Sequence, residues 1–302
     1  MKKFIAFVLC LCISLFATAC TYMTSVNLTM DAVQPWTIGS DFEECVYSVV
    51  KKDKNGVIIG KGQLTTTATV GGTNKNQTTI DCDFYFSETE GIRDTITSSA
   101  TILNSSCATI SSSKEVVLQS KPEKNYRFEA DYNAKKVDYY MGNSATPTKT
   151  MEVAESLVLD NEAGYYIVRA YNPTEHKQGE FLLTNLYDCY LSNRLSSYVV
   201  SYNATNELLS KDNFTSITKD TTWSIFSSNN LITDNKIDCF KVKINRKETG
   251  MSGSPVEMWL SKKSFVGGKG RVIVKMSTSK LSYTTAEVEY TTEYELISYR
   301  IG

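Results

Sequence analysis

One histidine in 302 residues limits what this chain can do. A site built on several histidines is excluded, and any Ser-His-Asp arrangement would depend on His176 alone. That residue sits in Asn172-Pro173-Thr174-Glu175-His176-Lys177, a polar turn where a solvated imidazole is the plain reading. Prolines number only five, and no Pro-rich or low-complexity linker divides the chain. Charge of one sign is also missing: 32 Lys and Arg stand against 33 Asp and Glu. With no basic run interleaved with aromatics, a nucleic-acid partner is excluded. After residue 16 there is no apolar run long enough to span a bilayer, which takes ~20 residues.

Familiar catalytic spacings are absent too. Gly250-Met251-Ser252-Gly253-Ser254 fails the nucleophile-elbow pattern and has no strand-to-helix context, so it reads as a hairpin turn. Gly267-Gly268-Lys269-Gly270 lacks the spacing and the Ser/Thr of a P-loop. Asp81 and Asp83 share one strand face and could pair with a cation, but they read more simply as solvent-facing acids. No catalytic residue, metal site or cofactor is assigned, and an enzyme is not expected.

What is present begins at the N-terminus. Met1, Lys2 and Lys3 precede an apolar stretch from Phe4 to Phe16 and then Ala17-Thr18-Ala19-Cys20, the order of a secretory signal. Two readings remain for its end. Ala17-Thr18-Ala19 is an ordinary cleavage site, and the same residues with Cys20 resemble a bacterial lipobox whose cysteine takes a diacylglycerol. Both cut after Ala19. The organisation expected is a signal peptide over 1–19, a lipid-anchored tether over 20–40 and a single β domain over 41–302. The protein would then lie outside the cytoplasmic membrane, held there through Cys20 by acyl chains worth ~0.8 kcal/mol per buried methylene.

Five cysteines follow the anchor: Cys45, Cys82, Cys107, Cys189 and Cys239. The number is odd and no pair shows C-x-x-C spacing, so five core thiols or one disulfide with leftover thiols are both open. Cys45 alternates with Tyr47 and Val49, and Cys82 with Ile80, Phe84 and Phe86. A period of two with one apolar side marks a half-buried strand. Between Glu43 and Val70, Asp53-Lys54-Asn55-Gly56 supplies a hairpin turn, because Asn and Gly accept positive φ. Further strands are expected over 95–103, 114–119, 126–131, 137–141, 180–185, 197–202, 238–244, 255–260 and 271–276. The last is the alternation of Val288, Tyr290, Thr292, Tyr294 and Leu296 against a face of glutamates from Glu287 to Glu295, expected to be solvated.

The pattern breaks once. Ala163, Tyr166, Ile167 and Ala170 fall at helical spacing, with Asp160 and Asn161 as caps and Pro173 as a stop, which predicts a helix of about ten residues. Residues 203–235 are polar and weakly patterned, a long excursion with Trp223 and Phe226 tucked back. The fold class expected is mainly β: a strongly curved antiparallel sheet, an open half-barrel, packed on one short helix.

Several short patterns carry a resemblance. They are Glu44-Cys45-Val46-Tyr47 with Gly60-Lys61-Gly62, then Asp160-Asn161-Glu162-Ala163 and Ile167-Val168-Arg169-Ala170. Asp238-Cys239-Phe240-Lys241-Val242, Val256-Glu257-Met258-Trp259-Leu260 and Val272-Ile273-Val274-Lys275-Met276 complete the set. In this order they resemble the secreted bacterial domain of unknown function 3108, itself similar to the half-barrel of the LolA/LolB lipoprotein carriers. The resemblance covers residues 41–299 and implies a half-barrel around a helix with apolar cargo; it implies no reaction. The long 203–235 excursion departs from that family.

Two functions follow as expectations. In one, a tethered module shelters an apolar, lipid-like ligand against Phe84, Phe86, Tyr139 and the helix residues Tyr166 and Ile167. In the other, an envelope protein with a filled core binds a protein partner and no small ligand.

Overall fold

The computed structural model describes residues 41–153, Asp160, Arg169, 178–193, 197–248, 251–252, 256–265, 270–281 and 287–302. Cys20, Tyr166 and Ile167, and most of the expected helix, lie outside these residues.

The N-terminal half is a meander. It runs through β1 (Phe42–Asp53), β2 (Ile58–Gly71), β3 (Gln77–Ser87), β4 (Asp94–Leu103), β5 (Thr109–Val117), β6 (Tyr126–Asp131), β7 (Lys136–Met141) and β8 (Lys149–Glu152). The C-terminal half holds β9 (Gln178–Thr184), β10 (Ser197–Leu209), β11 (Ile232–Thr233), β12 (Lys236–Glu248), β13 (Met251–Ser252), β14 (Val256–Ser261), β15 (Ile273–Leu281) and β16 (Val288–Ile301). All the pairings are antiparallel, in the spatial order β8-β7-β6-β5-β4-β3-β2-β1-β16-β15-β14-β12-β10-β9. The first and last strands are therefore neighbours in the middle of one sheet, and its two edges, β8 and β9, are consecutive in sequence.

The β1–β2 turn forms where the sequence places it. Asp53 Oδ1 accepts from the backbone N–H groups of Asn55 and Val57, and Gly56 has φ +81°. Along β1, Glu43, Cys45, Tyr47 and Val49 are all buried and share one face, which is the concave one.

The sheet curls until its edges approach without pairing. A short helix, α1 (Leu186–Ser192), follows β9 and reaches the far side of the curl. Its Tyr187 stacks on Tyr126 of β6 at 4.3 Å, and its Tyr190 packs on Tyr139 of β7 at 5.3 Å. Lys149 of β8 donates to the Tyr190 carbonyl. Asp160, fully buried, bridges to Thr184 at the end of β9, donates its N–H to Thr109 of β5 and accepts from the Tyr132 hydroxyl. Aromatic packing and one carboxylate thus span the seam, and the barrel stays open.

The described residues hold two α-helices, α1 and α2 (Lys219–Ser228), both outside the stretch expected to be helical, most of which lies outside the described residues. In α1, Leu186 and Cys189 are buried at helical spacing and Asn185 caps the first turn, a signal hidden by the strand before it. Within the expected helix, Arg169 has helical backbone, while Asp160 serves the seam described above. Residues 203–209 are also no excursion: they extend β10, paired in register with β12 from Asn203↔Lys243 to Leu209↔Ile237.

The glutamate face of β16 is not wholly solvated either. Neighbours on a strand point to opposite faces, yet Glu295 and Leu296 are 1% and 0% exposed. Both faces of β16 are therefore covered at this point. On the outer one, Glu295 accepts from the Thr215 N–H and hydroxyl, from the Thr218 hydroxyl and from Lys275 Nζ. These bonds hold the segment leading into α2, which packs along β16 with Phe226 fully buried. Glu287 and Glu289, nearer the start of the strand, are exposed as expected.

Candidate functional site

The concave face encloses a pocket of about 230 Å³ between β1–β5 on one side and β15–β16 on the other. Two cross-strand rows build its first wall. One is apolar, Tyr47–Leu64–Phe84–Ile96, each side chain directly opposite the next. The adjacent row is polar, Thr66–Cys82–Ser98–Lys114. Ile273, Met276, Thr278 and Tyr294 form the opposite wall, with the Phe84 and Tyr294 rings 6.5 Å apart. Arg169 also lines the pocket.

Arg169 reaches this position through a buried ion pair. Its Nη1 and Nη2 donate to the two carboxylate oxygens of Glu43 at 2.7 and 3.1 Å, and its Nε donates to the Arg271 carbonyl at 2.6 Å. The Tyr299 hydroxyl donates to Glu43 as well, and the Cys45 thiol lies 3.9 Å from it. Burial pushes the Cys45 thiol up to about 12, and the nearby Glu43 charge acts in the same direction. Burial likewise raises the Tyr299 hydroxyl. A thiol held protonated is a poor nucleophile, so Cys45 is a packing residue. With its donors bonded within the protein, the guanidinium pins its segment to β1 and shapes the pocket.

The expected site residues are divided by the fold. Phe84 lies in the pocket wall. Phe86 stacks parallel to it, ring centroids 6.1 Å apart, but its ring lies over Gly60 and Gly62 of β2. A Cβ at Gly60 would come 2.4 Å from Phe86 Cζ, so the two glycines of the Gly60-Lys61-Gly62 return provide the ring's bed. Tyr139 is in a different cluster with Phe128, Tyr132, Val137, Val153 and Leu186, under α1. Its hydroxyl is buried with no hydrogen-bond partner among the described residues, and burial raises its pKa.

Sequence reasoning did not assign the buried ion pair or most of the pocket lining to a site. Glu43 shares the parity of Cys45 and Tyr47, which alone marks it as inward. Arg169 stands beside apolar positions of the expected helix, an odd place for a charge. Tyr294 stood on the apolar side of its alternation, but Lys114 and Met276 carried no local signal, because strand register brings them to the pocket.

The five cysteines are all thiols, four of them buried and Cys82 half-buried in the pocket wall. Asp81 and Asp83 are on the outer face, exposed, in a polar groove with Glu115, Arg127 and Glu129. Among the described residues, no cluster of three or more His, Cys, Asp or Glu could hold a metal ion. No helix among them is long and apolar enough to cross a membrane.

No family model matches the chain, and no curated protein matches it. Among solved structures it is similar to a β-barrel-like protein of domain of unknown function DUF1849 from Brucella abortus. The two are 10% identical with a TM-score of 0.55, and the match covers 88% of this chain and 100% of the other. A DUF1329 family protein from Desulfovibrio piger matches at 11% identity and a TM-score of 0.22, over 90% of this chain and 88% of its own. The first likeness shows a β-barrel-like fold; the second carries no argument.

Proposed function

We propose that this protein is a non-catalytic binding module of the bacterial cell envelope, exported, held at a membrane through Cys20, and taking a small apolar ligand into its concave pocket. The observation that carries the reading is the cavity of about 230 Å³ walled by Leu64, Phe84, Ile96, Met276 and Tyr294. Small-molecule sites are concave, mostly apolar and supplied with few polar groups, and they run from ~300 Å³ upward. At about 230 Å³ this cavity falls just below that range, suited to one short chain or ring. The resemblance to the LolA/LolB-like carriers supports apolar cargo, and the signal ending in Cys20 supports the membrane address.

Titration of the full chain with the neutral apolar dye N-phenyl-1-naphthylamine tests the pocket. Saturable binding is expected, and Ile96→Trp, which fills the cavity, should abolish it. Absence of saturable binding to the wild-type chain sinks the reading. For the anchor, Cys20→Ala should move the protein from the membrane fraction to the medium; unchanged retention counts against lipidation.

A second reading, an envelope protein that docks a partner, is favoured by one observation. Val57, Ile59, Ile92, Val117 and Val288 are exposed and all lie at the end of the sheet bearing the β1–β2, β3–β4 and β5–β6 turns. Changing Val57, Ile59 and Ile92 together to Ser should then abolish a partner complex while dye binding persists.

A further inference from the structure

We infer that the pocket's ligand is an uncharged amphiphile, a short apolar body ending in a hydroxyl that lies against Ser98. This rests on the binding-module reading above and adds the chemical class and direction of the ligand.

The direction comes from strand register. Thr66 on β2 opposes Cys82 on β3, which opposes Ser98 on β4. All three line the pocket and form a polar row across the concave face. Two residues along the same strands, roughly 7 Å away, Leu64, Phe84 and Ile96 form an apolar row, with Met276 and Tyr294 on the opposite wall. The wall is therefore graded, with hydrogen-bonding groups in one row and hydrocarbon in the next. Within the polar row, Thr66 is buried against the Cys45 thiol, and Cys82 is engaged by another group of the protein. Ser98, half-buried, is the member that presents its hydroxyl to a ligand. A hydroxyl both donates and accepts, so a ligand hydroxyl can bond to it in either sense. A ligand apolar throughout would cover Ser98 without replacing its water, which is unfavourable.

Charge excludes an ionic head. Among the described residues, two cations line the pocket, Lys114 and Arg169. Both are engaged inside the protein. Arg169 holds the two oxygens of Glu43 and donates its Nε to the Arg271 carbonyl, and Lys114 has its own interaction with another group of the chain. A carboxylate entering this wall would either give up its water with no cation in return or break a pairing that the fold already has. An ion buried without a partner is far more costly than a neutral hydroxyl buried with one hydrogen bond. The head is therefore neutral and sits against Ser98, and the body lies over Leu64, Phe84 and Ile96 towards Tyr294.

The experiment displaces bound N-phenyl-1-naphthylamine with octanol, octanamide or octanoate at neutral pH. It uses the full chain carrying Cys20→Ser in detergent-free buffer, beside the same chain with Ser98→Ala. Octanamide has the shape of octanoate without its charge. Octanol and octanamide should each displace the dye at concentrations at least ~10-fold below octanoate, because only octanoate must bury an ion. Ser98→Ala should weaken octanol by about 3- to 10-fold, the worth of one neutral hydrogen bond. It should leave dye affinity unchanged, which also shows that the pocket is folded. Octanoate displacing as well as octanamide, or octanol unaffected by Ser98→Ala, overturns the inference and leaves the apolar module standing. So does dye binding that octanol fails to displace. If the dye itself does not bind, both fall together.

Discussion

Arg169 and Glu43, 126 positions apart in sequence, form a bidentate ion pair in which both side chains are 2% exposed. It joins a segment between the two half-sheets to the first strand. Removing one partner strands a buried charge, a loss of about 3–5 kcal/mol. Arg169→Met and Glu43→Gln should each lower the urea midpoint accordingly, and the double variant should lose clearly less than the two losses combined. Single variants within 1 kcal/mol of wild type would show that the pair does not hold the segment.

Glu295 does the same for the excursion. With four donors converging on it, Glu295→Ala should destabilise by about 2–4 kcal/mol. The loss should be local at first. Backbone amides of α2 should exchange faster by mass spectrometry, while those of β2–β4 keep their protection. A uniform rise across the chain would contradict this.

The buried thiols set an alkaline limit. Burial raises Cys45 and Cys239 to about 12 and Cys107 to about 11, from an ordinary value of 9.0. Below pH 9 the folded and unfolded chains both keep these protons, and stability does not depend on them. Between pH 9 and 12 the unfolded chain loses them while the folded chain retains them, so stability falls as pH rises. The slope is up to ~1.4 kcal/mol per pH unit for each thiol. Replacing Cys45 and Cys239 by Ala should flatten the fall in urea midpoint above pH 9; an unaltered slope would remove the thiols as its cause.

Gly62 and Gly60 should respond differently to alanine. A Cβ at Gly62 would lie 2.1 Å from the Tyr85 carbonyl oxygen and 3.0 Å from Phe86 Cα, so the backbone of β3 must shift. At Gly60 the nearest obstacles are the far edge of the Phe86 ring and Glu88 Cγ, which can move. Gly62→Ala should therefore lose about 2–3 kcal/mol and Gly60→Ala clearly less. Equal losses in thermal melts would refute the distinction.

The strands of the first half were legible because their alternation is clean. Ile80, Cys82, Phe84 and Phe86 against Thr79, Asp81, Asp83 and Tyr85 admit one register of faces. β10 was legible only to Tyr202, since beyond it Asn203, Thr205, Asn206 and Leu208 are exposed and the two buried residues, Ala204 and Leu209, lie on opposite faces, which leaves no alternation to read. Glu295 could not be told from Glu289 by pattern, because its burial depends on a segment 77 to 80 residues earlier folding over it. The pocket divides in the same way. Phe84 follows from local alternation, whereas Lys114, Met276 and Tyr294 meet it through pairings that one sequence does not specify.

The adjacency of β1 and β16 has a consequence in time. A chain emerging N-terminus first completes β1 early, yet β16, the strand that covers its open side, follows fourteen other strands. Each half-sheet can zip up from hairpins between sequence neighbours, but their union waits for β16 and closes the long loop from β1 to β16. Such non-local pairing is slow to nucleate. Until then β1 keeps one ladder of N–H and C=O groups unsatisfied beside Cys45, Tyr47 and Val49, an adhesive edge of the kind on which misassembly begins. The vulnerable moment in this protein's life is the interval before β16 arrives.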